Sequence, residues 1–83
     1  MPLYYFDIVD INGLHVDETG VECDDIDAAI AMARRTISEL ANDAFRDPGQ
    51  SELAIRIRDD MEGPVVLRVT IETTSVEGQQ KPD

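Results

Sequence analysis

Three stretches of the chain alternate between apolar and polar residues with the period of a β-strand. They are residues 3–9 (LYYFDIV), 52–59 (ELAIRIRD) and 65–72 (VVLRVTIE). Because successive side chains of a strand point to opposite faces of a sheet, each stretch is expected to bury one face. The inward residues are predicted to be Tyr4, Phe6 and Ile8, then Leu53, Ile55 and Ile57, then Val65, Leu67, Val69 and Ile71.

Between these strands the apolar period changes to that of an α-helix. Asp24 or Asp25 is predicted to cap the helix, because a carboxylate accepts hydrogen bonds from the free N–H groups of the first turn. The segment Asp47-Pro48-Gly49 is predicted to end it. The apolar stripe consists of Ile26, Ile30, Ala33, Ile37, Leu40, Ala41, Ala44 and Phe45.

The first strand is followed by Asn12-Gly13, which suits a two-residue type I′ turn. Residues 14–23 are expected to return as a weaker strand, bent or bulged near Gly20. A two-residue loop at Asn12-Gly13 pairs odd with even positions, so the inward set of this second strand stays open.

The last two strands are predicted to form a hairpin whose register can be worked out. Both inward sets carry odd numbers, so paired residue numbers must have an even sum. A three-residue loop at residues 61–63 gives a sum of 124. That register would place Arg58 opposite Val66 and Arg56 opposite Arg68.

The predicted fold class is α+β, a two-layer sandwich with one helix on one face of an antiparallel four-stranded sheet. The element order is strand, strand, helix, strand, strand. Residues 1–74 are expected to form a single domain, and the polar residues 75–83 a disordered tail.

The charge of the chain argues against two classes of partner. Eighteen acidic residues against seven basic ones give a formal net charge of −11 over 83 residues. This charge repels phosphate backbones and anionic membrane surfaces, so neither nucleic acid nor a membrane is an expected partner. With one cysteine, no signal-peptide pattern and no long apolar run, a cytoplasmic location is predicted.

The acidic segment DINGLHVDETG, residues 10–20, invites a metal or catalytic interpretation. Calcium-loop spacing fails whether Gly13, Gly20 or Gly63 takes the glycine position. His15 and Cys23 lie eight residues apart, about 26 Å along an extended strand, so they meet only if the strand folds back. We therefore predict no catalytic residue, no metal site and no cofactor.

Three arginines, Arg56, Arg58 and Arg68, are expected on the sheet face that the helix leaves open. Asp7 would neutralise them if the first strand is adjacent. One interpretation is a salt-bridged surface without a ligand. The other is a site for a small anion or for an acidic group of a partner.

The same open face carries Tyr5 and the apolar residues Leu3, Val9, Ala54 and Val66. Apolar groups beside arginine are typical of association surfaces, so a homodimer or an unidentified protein partner is predicted, with a monomer as the alternative. The expected function is a non-enzymatic interaction module that self-associates. The alternative is a small-anion or ligand binder that uses the arginines.

The aromatic start Tyr4 to Phe6, the acidic-Gly segment Asp17 to Glu22 before an alanine-rich helix, and the hairpin turn Asp59 to Gly63 together resemble a known family. It is a family of small bacterial proteins, common in alphaproteobacteria and especially rhizobia, known only as a domain of unknown function. The resemblance covers residues 2 to about 72. It implies a compact α+β domain from such a bacterium, and it implies no activity.

Overall fold

The computed structural model describes residues 1–59 and 64–76, which form five strands and one helix. In chain order these are β1 (Leu3–Asp10), β2 (Gly13–His15), β3 (Val21–Glu22), α1 (Ile26–Ala44), β4 (Glu52–Arg58) and β5 (Val65–Thr70). The predicted α+β class is confirmed. Residues 71–76 have no regular structure, and residues 77–83 lie outside the described part, so the predicted tail stays a prediction.

All strand pairs of the sheet are antiparallel, and the strand order is β2-β1-β4-β5, with β3 also paired to β1. The predicted second strand is therefore two short strands. β2 pairs with the C-terminal end of β1 and β3 with its N-terminal end, and residues 16–20 bridge the interval. β1 lies beside β4, which brings Asp7 directly opposite Arg56.

The helix covers one face of this sheet and shields a small apolar core. Asp25 is the N-cap, and its carboxylate accepts a hydrogen bond from the Ala28 N–H at 2.8 Å. From the helix, Ala29, Ala33 and Ile37 are buried; Ala29 lay outside the predicted stripe. From the sheet, the buried apolar side chains on this face are Tyr4, Leu53, Ile55 and Ile57. Among the described residues, no helix combines the length and apolar character needed to cross a membrane.

The first hairpin differs from the prediction. Asp10 pairs with Gly13, so the two loop residues are Ile11 and Asn12. Neither has a positive φ, whereas Gly13 has φ +114°. A type I′ turn needs positive φ at both loop residues, so this turn is of another kind, with the glycine placed just after the loop.

The register of the second hairpin also differs from the prediction. Its paired residue numbers sum to 122, because Leu53 lies opposite Val69 and Ile55 opposite Leu67. The parity argument is confirmed, but the predicted sum of 124 is wrong by one two-residue step. Arg56 therefore lies opposite Val66 rather than Arg68. The three-residue loop that the prediction used lies outside the described residues.

Candidate functional site

The open sheet face is organised around one buried carboxylate, that of Asp7, which is 0% exposed. Arg56 Nε and Nη2 donate to its Oδ2 at 2.9 and 2.7 Å, and Arg58 Nε donates to the same oxygen at 2.8 Å. The Asp17 N–H donates to Oδ1 at 2.9 Å. Charge-assisted bonds of this kind are the strong ones, and the carboxylate has donors on both oxygens.

A second carboxylate, that of Asp17, lies beside the stretch of β1 that pairs with neither β2 nor β3. The Phe6 N–H lies between the parts of β1 that pair with β2 and β3, and it donates to Asp17 Oδ2 at 3.1 Å. The Thr19 and Gly20 N–H groups donate to Oδ1 at 3.0 and 3.1 Å. The Asp17 side chain therefore takes the place of a missing strand residue.

The Asp17 segment is fastened to the open face by its backbone as well. Arg58 Nη2 donates to the Asp17 carbonyl at 2.9 Å, and the Arg58 guanidinium carbon lies 4.6 Å from the Tyr5 ring centroid. Gly20 has φ +79°, and a Cβ there would lie 3.0 Å from Leu3 Cγ and 3.1 Å from Tyr5 Cε1. Conformation and space thus both favour glycine at this position.

The hydrogen bonds lower the pKa of Asp7. Burial alone would raise that pKa, but the bonds from Arg58, the Asp17 N–H and Arg56 outweigh it and lower it from 3.8 to about 2. Burial likewise opposes, and the bonds from Phe6, Gly20 and Thr19 outweigh it, so the pKa of Asp17 is also lowered. Both carboxyls are therefore held in the charged form.

The lowered pKa of Asp7 makes the stability of the fold depend on pH in the acidic range. A carboxyl whose pKa is depressed in the folded state stabilises the fold above its unfolded pKa, and this contribution is lost as the pH falls through the folded pKa. We expect Asp7 to contribute about 2 kcal/mol at neutral pH, most of which disappears between about pH 4 and about pH 2. Urea unfolding of the wild type and of Asp7→Asn across this range measures it. The stability gap between them should shrink by that amount, and a constant gap would contradict the assignment.

Of the five residues predicted for the site, four meet. Asp7, Arg56, Arg58 and Tyr5 form one cluster, as the adjacency of β1 and β4 requires. Arg68 lies opposite Ala54, and its Nε is 3.7 Å from Glu52 Oε1, with both side chains more than half exposed. The three arginines therefore do not converge on one point.

Two further residues that contact this cluster, Asp17 and Gly20, were not predicted as site residues. Their spacing is visible in the sequence, since an aspartate followed by Thr19 and Gly20 is typical of an Asx turn. No local pattern indicates that the same carboxylate reaches Phe6, eleven positions earlier.

The structure offers little support for catalysis by His15 and Cys23. His15 Nε2 lies 3.0 Å from Asp10 Oδ1, whereas Cys23 is buried in the core. Their partners along β1 are Ile8 and Pro2, about 20 Å apart at roughly 3.3 Å per residue. Burial raises the pKa of the Cys23 thiol, and the nearby carboxylates raise it further, which disfavours the reactive thiolate.

A metal centre is likewise not apparent in the part of the chain that the structure describes. No group of three or more His, Cys, Asp or Glu side chains is placed there to hold a metal ion.

Comparison with known proteins identifies the family of the chain. Residues 3–72 match DUF6894, a domain of unknown function, and the chain belongs to that family. No curated protein and no solved structure matches the chain. The predicted resemblance to a family of unknown function is confirmed at this level, and the bacterial source stays a prediction.

Proposed function

We propose that the chain is a non-enzymatic protein-interaction module that self-associates through the open face of its sheet. The observation that carries the proposal is the apolar surface left on that face. Leu3, Val9 and Val66 are 38, 36 and 47% exposed there. Leu14 lies opposite Val9, so it shares the face, and it is 50% exposed. Apolar side chains exposed on one sheet face favour association.

Charge supports a second copy as the partner. Three carboxylates on and beside this face, those of Asp7, Asp17 and Glu52, lie near the three guanidiniums, and Glu22, opposite Leu3, is a fourth. Most of the formal charge of −11 therefore arises elsewhere on the chain. Two copies repel each other over most of their surfaces, and the open face is where they can meet at the lowest electrostatic cost. A two-fold pairing of this face with itself is the simplest arrangement.

The cluster also fixes the shape of the surface before binding. Arg56 and Arg58 are both held by Asp7, so their side chains do not have to be ordered when a partner arrives. Immobilising a long side chain at an interface costs about 0.5–1.5 kcal/mol. A face whose arginines are already ordered loses less free energy on association.

The same contacts do not favour the alternative of a small-anion site. A free anion would have to compete with the Asp7 carboxylate, which already binds Arg56 and Arg58. Arg68, the remaining arginine, lies near Glu52. Because the three arginines do not converge on one point, the association surface is the better supported function. We place the protein in the bacterial cytoplasm, because Cys23 is a free thiol and a reducing compartment keeps thiols unpaired.

The proposal is tested by sedimentation equilibrium over a range of protein concentrations. Leu14→Glu adds a charge to the open face and should weaken self-association by more than tenfold, since a charge desolvated in an interface costs more than 1.4 kcal/mol. Ile11→Glu adds the same charge in the first turn, where the side chain is 59% exposed, and should leave the mass unchanged.

Salt provides an independent check. Because each copy carries −11, added salt should screen the repulsion and strengthen the dimer. A wild-type chain that stays monomeric at every concentration, or a dimer equally weakened by both substitutions, would contradict the proposal.

A further inference from the structure

The outer edge of β5 presents backbone groups that no described strand pairs. β5 is the last strand in the sheet order. The Ile71 N–H donates to the Ser51 carbonyl at 2.8 Å, and this pair continues the register of β4 and β5. Since hydrogen-bonded pairs alternate along an antiparallel ladder, Leu67 and Val69 direct their N–H and C=O groups toward β4. The N–H and C=O groups of residues 66, 68 and 70 therefore point outward.

Beside this edge lies a groove between β5 and α1 of about 380 Å³. Ile37, Leu67 and Val69 contribute apolar surface to it, and Arg34, Ser38 and Arg68 complete the lining. An edge strand next to an apolar groove under a helix is the geometry by which some domains add a peptide as an extra strand. The backbone supplies hydrogen bonds, and the groove accepts alternate side chains of the added strand.

The charge of the groove favours a peptide that carries carboxylates. Two arginines, Arg34 and Arg68, line it, and no acidic side chain does, although the chain as a whole carries −11. Arg68 has one exposed acidic neighbour, Glu52, at 3.7 Å, and such surface pairs are weak and exchangeable. A basic groove therefore favours a ligand that carries carboxylates.

We propose that the groove between β5 and α1 binds an extended segment of a partner protein, apolar on one side and carrying carboxylates on the other, as an added β-strand. Apolar side chains of the segment lie over Leu67 and Val69, and its carboxylates approach Arg68 on the open side, with Arg34 adding positive potential at the groove. The site is centred on the sheet edge and the helix, and it shares only Arg68 with the border of the self-association surface.

The test uses a fluorescein-labelled peptide with the sequence Glu-Val-Glu-Val-Glu-Val-Glu, titrated with the full chain and followed by anisotropy. Arg34→Glu should weaken binding by roughly tenfold, because charge reversal replaces an attraction with a repulsion of similar size. Arg35→Glu is the matched control: Arg35 is the next residue of α1, is exposed and does not line the groove, so affinity should hold within about twofold. A peptide with lysine in place of glutamate should not bind.

Amide hydrogen exchange distinguishes strand addition from attraction by charge alone. On binding, the amides of Val66, Arg68 and Thr70 should become protected, whereas those of Leu67 and Val69 are already bonded to β4 and should change little. The same peptide N-methylated along its backbone should fail to bind.

Three results would overturn the proposal: equal affinity for the lysine peptide, equal loss from Arg34→Glu and Arg35→Glu, or protection without the β5 pattern. Protection of residues 66, 68 and 70 in the peptide-free protein as its concentration rises would identify a second copy as the occupant and also overturn it. Leu14 lies on β2, at the opposite border of the sheet, so Leu14→Glu should leave peptide binding intact whatever its effect on self-association.

Discussion

Replacing Asp7 with asparagine should lower the free energy of unfolding at neutral pH by about 3 kcal/mol, the largest effect expected of any single polar substitution here. The carboxylate is fully buried, and its Oδ2 accepts three hydrogen bonds from Arg56 and Arg58. An amide keeps one oxygen and places an NH2 group against donors. Both guanidiniums are then left beside a neutral group in a partly desolvated site, which is the costly way to break an ion pair.

Urea denaturation measures this loss, with Asp43→Asn as the matched control. Asp43 lies on the exposed side of α1, so the same chemical change there should alter stability by no more than about 0.5 kcal/mol. A double-mutant cycle of Asp7→Asn with Arg56→Gln should give a coupling energy above about 1 kcal/mol. Additive effects, or a loss from Asp7→Asn no larger than that of the control, would show that the cluster is a surface feature.

The sequence predicted the elements of this fold because their apolar periods are long and regular. β1, β4, β5 and α1 are all found, and the parity of the second hairpin is correct. Period-two alternation determines which face a side chain occupies, but it is unchanged when one strand slides by two residues. The slide is decided by the connection between the strands, and the last pair of the hairpin is Ile57 with Val65. A three-residue loop is compatible with a sum of 122 as well as 124, centred one residue earlier in the chain, so parity and loop length together left the register open.

The candidate site could be predicted only in part for a related reason. Alternation places Asp7, Arg56 and Arg58 on one face, and the adjacency of β1 and β4 then brings them into contact. The role of Asp17 depends on a gap between two short strands that both pair with β1. Their β-pattern is weak because all five strand residues of β2 and β3 are exposed, so burial imposes no clear alternation on them.

Asp17→Ala should have the second large effect, lowering the free energy of unfolding by about 2–3 kcal/mol, because the Asp17 side chain fills the gap beside Phe6. Three backbone N–H groups, those of Phe6, Thr19 and Gly20, lose a charged acceptor. The loss should be smaller than for Asp7, because Asp17 contacts Asp7 and Arg58 through its backbone, which alanine retains. Removing the Asp17 charge, which repels the Asp7 carboxylate, offsets part of the loss in stability.

Asp17→Asn separates the bridging of the gap from the local turn. An asparagine can keep its oxygen at the Oδ1 position for Thr19 and Gly20, but its NH2 group then faces the Phe6 N–H. We expect an intermediate loss of stability, with the Phe6 amide exchanging faster in both variants and the Thr19 and Gly20 amides exchanging faster only in Asp17→Ala. Glu18→Ala, at the exposed neighbouring position, should leave the Phe6 amide unchanged. If the Phe6 amide stayed equally protected in all three variants, a carboxylate would not be what joins the two halves of this sheet edge, and residues 16–20 would be an ordinary surface loop.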